Sequence, residues 1–193
     1  PVCSSAASDV YKRQKDYKMM IDAQQLRQAL TNIFQNSVDS IYESPSNNIG
    51  LIKVLTELKK AKVLAFDTET DSLDFTQANL VGLSVATDED NAYYIPVGHD
   101  YEGAPKQLDR DEVLKKLKPI IEKTPLIGQH LKFDRNVLAN YDIHLNTIEN
   151  DTMLMSYVYD PTATRHNLDA MASHYLNVKT TTFEDVAGKG VKQ

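Results

Sequence analysis

Two runs of alternating apolar residues, Asn79 to Thr87 and Ala92 to Val97, flank the polar turn Asp88–Asn91. Apolar residues at every second position, joined by so short a turn, form an antiparallel hairpin with one face buried. The hairpin constrains the fold strongly because the rest of the chain alternates helices with strands. Before it, Leu51 to Ala61 reads as a short helix and Val63 to Asp67 as a buried strand. After it, Asp109 and Glu112 form a capping-box-like start to a helix with Val113, Leu117, Ile120 and Ile121 on one face. Pro125 to Gln129 reads as a strand, Leu131 to Asn140 as a helix and Ile148 to Asp151 as another short strand. A helix to about Tyr159 and a last one over His166 to Leu176 follow. Strands interleaved with helices, plus one hairpin, predict an α/β fold with a mixed sheet flanked by helices.

Composition narrows what such a domain can do. With 41% hydrophobic and 25% charged residues over 193 positions, the chain can bury the core of one ordinary domain. Its longest apolar runs are too short to span a membrane. The single cysteine, Cys3, excludes a disulfide framework and fits a cytoplasmic setting. A net charge of −6 argues against broad electrostatic binding to nucleic acid, yet leaves room for local contacts and metal ions.

The first segments stand apart. Residues 1–14 show no periodicity and no apolar signal-peptide core, and are expected to be artefactual or disordered. Within residues 15–50, Leu26, Leu30, Ile33, Val38 and Ile41 recur at helical spacing, with Asp22 placed as N-cap. Ser44 to Gly50 is a breaker cluster that sets a boundary before a domain over residues 51–193.

Two short patterns carry chemistry. In Phe66-Asp67-Thr68-Glu69-Thr70, residues two apart on a strand share a face, so Asp67 and Glu69 project together from the strand's C-terminal end. That edge is where sites form in open α/β sheets. Crowded carboxylates repel unless a cation lies between them, and a hard divalent ion with oxygen ligands is the usual answer. A lone Asp-x-Glu is more often a solvated acidic turn. In Gly128-Gln129-His130-Leu131-Lys132-Phe133-Asp134, His130 and Asp134 lie four apart and are expected on one helix face. Taken singly, this too is ordinary helix-end charge. His99, His144, His166 and His174 show no metal-ligand spacing and read as surface or helix-end histidines. Lys59-Lys60 reads as a solvated helix face, and Gly188 and Gly190 as a loop without a phosphate-binding fingerprint.

Considered together, FDTETDSLD, ANLVGLSVA, AYYIPVGHDY, GQHLKFDRNVLANY, DTMLMSYV, RHNLDAMASHYL and TFEDVAGKG follow the order and spacing of a known domain. From Leu51 to Gln193 the chain resembles the 3′→5′ exonuclease, or proofreading, domain of bacterial DNA polymerase I, in the DnaQ-like superfamily. The resemblance implies an RNase H-like fold and a site of four acids and a tyrosine. It assigns Asp67 and Glu69 as first-motif acids and Asp134 as the second-motif acid. It places Thr70, Leu73 and Phe183 on the terminal nucleotide and Arg165 near the DNA backbone. It implies two divalent ions, Mg²⁺ or Mn²⁺, hydrolysing the terminal phosphodiester of a single-stranded or frayed DNA 3′ end. One ion would activate the attacking water and the other would stabilise the leaving 3′ oxygen. A polymerase domain downstream in the intact protein, and a place with the nucleoid in the bacterial cytoplasm, are implied as well.

There are two departures from that pattern. His130 stands where the second motif usually has Asn, which bears on how the substrate is held. The third motif, with its tyrosine and last aspartate, is expected beyond Gln193, so a fragment with three of four acids is expected to be close to inactive. Two rivals stay open: a non-catalytic spacer with the same fold, and a ribonuclease D-like RNA exonuclease. Retention of Asp67, Glu69 and Asp134 argues against the first, and AYYIPVGHDY and TFEDVAGKG against the second. Residues 16–44 resemble the N-box of sensor histidine kinases, without the glycine-rich boxes that complete an ATP pocket. No strand pattern precedes the Leu51 helix, although the polymerase family would place one there. A junction of two gene fragments accounts for both facts, and a linker helix is the alternative.

Overall fold

The computed structural model describes residues 48–179, apart from 89–90, 101–103 and 105. The helix expected over residues 16–44, and the segment holding Phe183, lie outside the described residues. The element order is α1 (Asn48–Leu58), β1 (Leu64–Thr70), β2 (Leu80–Ala86), β3 (Ala92–Pro96), α2 (Arg110–Ile121), β4 (Leu126–Gly128), α3 (Leu131–Ala139), β5 (Ile148–Asp151), α4 (Thr152–Tyr159), α5 (Leu168–Met171) and a π-helical turn over Ala172–Leu176.

The strands form one sheet in the order β3-β2-β1-β4-β5. β1, β2 and β3 run antiparallel as a meander, whereas β4 and β5 lie parallel to β1. The mixed α/β architecture is the one the interleaved pattern predicts. One face of the sheet is fully covered: Leu64 and Phe66 of β1, Leu83 and Val85 of β2 and Ile95 of β3 join one apolar cluster with α1, α2 and α3. α1 contributes Leu51, Val54, Leu55 and Leu58, a single stripe at helical spacing. The opposite face carries a small cluster of Ala65, Ala86 and Ile127, with Leu168 against it. Side chains alternate across a strand, so the residues that follow Ala65 on this thinner face are Asp67 and Glu69.

Several boundaries differ from expectation. α1 starts at Asn48, inside the breaker cluster, because amides in a helix's first turn need no intrahelical partner and weak helix formers cost little there. β1 runs on to Thr70 instead of ending at Asp67, because its ladder with β2 continues through Asp67–Ser84, Thr68–Leu83 and Glu69–Gly82. The acids therefore lie within the strand. Asp109 caps α2 by accepting from the Glu112 amide at 2.9 Å. The expected helix over His166–Leu176 starts only at Leu168: His166 has φ 59°, and Asn167 caps α5 through the Ala170 amide at 2.9 Å. Among the described residues no helix is long and apolar enough to cross a membrane.

Candidate active site

β1 is the central strand, and Asp67 and Glu69 stand on its thinly covered face. Opposite them on β2 are Ser84 and Gly82, and Tyr94 of β3 pairs with Ser84. Gly82 lets the tyrosine ring lie across the strand, since a Cβ there would come within 2.0 Å of the Tyr94 hydroxyl. That hydroxyl is 2.5 Å from His99 Nε2. The Gln107 side chain closes two bonds with the His99 backbone, at 2.8 and 2.6 Å. The strand glycine within ANLVGLSVA was the one signal of this close approach.

Asp134, on α3, is 2% exposed. Its Oδ1 accepts from both the amide and the hydroxyl of Thr68, at 2.8 and 2.7 Å. Thr68 lies between the two acids of β1, so this pair of bonds fastens α3 directly to the strand that carries them. Burial pushes the Asp134 carboxyl up to about 6, with the Thr68 donors working against it. Asp67 is held well above the usual aspartate range, first by burial and then by repulsion from Asp134 and Glu69. Burial also raises Glu69, although that residue keeps an exposed surface. Among the described residues none of the three acids forms an ion pair. Among the described residues no cation is thus paired with the cluster, although His130 lies near enough to lower Asp134. The cluster's hard oxygen donors are the type that Mg²⁺ and Mn²⁺ take. By charge and donor type the residues fit such ions. No three His, Cys, Asp or Glu side chains among the described residues stand ready to enclose one.

Compared with known proteins, residues 42–193 match the model of the 3′-5′ exonuclease family. The chain belongs to the 3′-5′ exonuclease family found in DNA polymerase I. The DNA polymerase I of Pseudomonas aeruginosa is 50% identical over 156 residues, which are 79% of this chain and 17% of that protein. The DNA polymerase I of Borreliella burgdorferi is 33% identical over 189 residues, 94% of this chain and 20% of that protein. The chain thus spans a fifth or less of the length of these two relatives. Among solved structures, ribonuclease D of Escherichia coli superposes with a TM-score of 0.54 at 15% identity, over 72% of this chain and 34% of that one. At that identity the likeness is one of fold.

In this exonuclease chain the remaining expected residues take varied places. The Thr70 hydroxyl donates to the Ser72 carbonyl at 2.8 Å. Leu73 is 94% exposed on the loop after β1. That loop is braced by Asp71, which accepts from the Asn79 amide and side chain at 2.7 and 2.8 Å. Asn140 at the end of α3 donates to the Phe75 carbonyl at 2.7 Å and ties the loop to the helix. Arg165 is exposed, just before the buried His166. His130 does not share a helix face with Asp134: it is the left-handed N-cap of α3, φ 59° and ψ 39°, and is exposed. The backbone turns sharply there, so the two side chains do not stack along one helix face, yet His130 stays near enough to lower the Asp134 carboxyl.

His166 is also not at the surface. It is 3% exposed, with Nδ1 2.8 Å from the Ser156 hydroxyl and Nε2 3.1 Å from the Pro161 carbonyl. Tyr157 stacks on its ring at 3.8 Å. Both ring nitrogens are partnered, which makes burial of this polar side chain tolerable. The Gln129 side chain donates to the His166 carbonyl at 3.0 Å and joins this knot to the end of β4. Sequence reasoning missed Thr68, Asp151 and this knot.

Proposed function

We propose that this chain is the 3′→5′ exonuclease part of a DNA polymerase I and hydrolyses the terminal phosphodiester of DNA. The observation that carries the reading is a cluster of three raised carboxylates, two of them crowded on one strand, without an ion pair among the described residues. Asp67, Glu69 and Asp134 would hold divalent ions, two in the full site. Bound there, Mg²⁺ or Mn²⁺ would lower the pKa of the attacking water and offset charge on the leaving 3′ oxygen. Thr68 would keep Asp134 facing the strand acids, because it occupies one carboxylate oxygen. Leu73, free of any packing role, would lie on the terminal base without reading its identity, together with Phe183. Thr70 would hold the terminal nucleotide, and His130 and Arg165 would contact the sugar-phosphate backbone beside it. In the intact protein, we infer, a polymerase domain delivers frayed 3′ ends to this site.

The test is Asp67→Ala in a full-length polypeptide carrying this chain, assayed for nucleotide release from single-stranded DNA. Release should fall by about 10³-fold or more, the scale expected when a key electrostatic element is lost. Near-normal release would sink the assignment of the site.

A further inference from the structure

α3 and α4 start side by side, and one carboxylate serves both. β4 and β5 are parallel neighbours that pair Gly128 with Asp151, which brings the two helix starts to one edge of the sheet. Asp151 is the N-cap of α4: its Oδ1 accepts from the Met153 and Leu154 amides at 3.0 and 3.2 Å. The same side chain reaches α3, where Oδ1 accepts from the His130 amide at 3.2 Å and Oδ2 from the Leu131 amide at 2.9 Å. A residue that only capped α4 would need one oxygen, and Ser, Thr or Asn would serve as well. Here four N–H groups and the positive ends of two helix dipoles converge on one side chain that is 9% exposed. α3 has no cap of its own, since His130 makes no side-chain bond to its first turn. It borrows one from Asp151.

Asp134 lies one turn into α3, and the orientation of that helix start decides where its carboxyl falls. We propose that Asp151 is a positioning residue: it fixes the start of α3 and so holds Asp134 against Thr68 and opposite Asp67. It touches no substrate. The proposal rests on the exonuclease reading above and adds to it a residue that acts through another.

Two substitutions separate this role from helix capping. Asp151→Asn keeps a carbonyl oxygen for the α4 amides but sets an NH₂ group against the Leu131 amide, donor to donor. Asp151→Ser keeps a short cap for α4 that cannot reach α3. Both are compared with the unmodified full-length polypeptide in two measurements: steady-state kinetics on single-stranded DNA with Mg²⁺, and amide hydrogen exchange without divalent cation. In both variants kcat should fall about 10–100-fold, the usual effect of losing a supporting partner, with KM changed less than about threefold. Exchange should quicken at Leu131 in both variants and at His130 in the serine variant alone, because the asparagine keeps the oxygen that accepts from His130, while Met153 and Leu154 stay protected. Unchanged kcat, or unchanged protection at Leu131, would overturn the proposal. So would equal loss of protection in both helices, or failure of both variants to fold, because Asp151 would then serve general stability. An unmodified protein that releases no nucleotides would instead sink the exonuclease reading, and exchange would still decide whether Asp151 fastens α3.

Discussion

Asp67 and Asp134 bring like charges into a region where burial already opposes the ionised form of each. A native state that keeps such acids must be less stable when they are ionised, unless a cation joins them. The sign follows from linkage. Asp134 moves from an ordinary 3.8 to about 6, so its contribution is fully present below about 4 and is lost as pH rises through about 6. Asp67 shifts in the same direction. The denaturant midpoint of the cation-free chain should therefore fall as pH rises from about 4 to about 6, the interval between the ordinary and the raised Asp134 value. Asp134→Asn should flatten that fall, and Mg²⁺ should reverse it at pH 8. A midpoint that rises over the same interval would show that the acids are already compensated. That Asp67 and Glu69 share a strand face was legible, because side chains two apart on a strand point the same way, although the pattern alone fits a solvated acidic turn as well. Thr68 and Asp151 were not, since their partners lie 66 and about 20 residues away in the chain. His166 was misread for the same reason: nothing beside it in the sequence shows that Ser156 and Pro161 close around its ring.

At the scale of elements, local pattern decided most of the architecture and long-range pairing decided its edges. The hairpin strands, β5 and α4 fall where alternation and helical spacing place them, because a buried face writes its period into the sequence. β1 outran its expected end because carboxylates resemble a strand terminus, whereas the ladder to β2 that extends it is a tertiary feature. The last expected helix shortened because a left-handed residue, an Asn cap and a π-helical turn leave little periodic trace. Within the hairpin, Gly82 is the residue whose replacement should be felt beyond its own position. A methyl group there would meet the Tyr94 hydroxyl and ring, so the tyrosine must swing away and give up His99. Gly82→Ala should cost about 1–3 kcal/mol of stability, the range for overpacking a filled site. The cost should shrink in a Tyr94→Ala background, because two residues in contact couple. Equal costs in both backgrounds, read from denaturant unfolding, would mean that the ring does not rest on this glycine.

For the molecule as a whole, sheet order and charge belong to one argument. The antiparallel meander fills one side of β1, and the parallel strands on the other side deliver the starts of α3 and α4 to the edge where the acids gather. On the proposed reading this concentrates negative charge at the place where a polyanion must dock, in a chain whose net charge is already −6. That net charge argues against a broad basic surface as the source of attraction, and each carboxylate at the site repels phosphate. On the proposed reading, divalent ions held by Asp67, Glu69 and Asp134 supply the missing positive charge, so affinity for a DNA end should depend on them. Binding of a short single-stranded DNA to the 193-residue chain should therefore weaken at least about tenfold when a chelator replaces Mg²⁺ at constant ionic strength. The plot of log affinity against log salt should also be shallow. At about −0.7 per phosphate neutralised on a single strand, one to three local contacts give a slope of about −1 to −2, measurable by fluorescence anisotropy. Affinity indifferent to chelation, together with a slope steeper than about −4, would show instead that DNA is held by a basic surface away from the carboxylates. The three acids would then have no part in docking the DNA end.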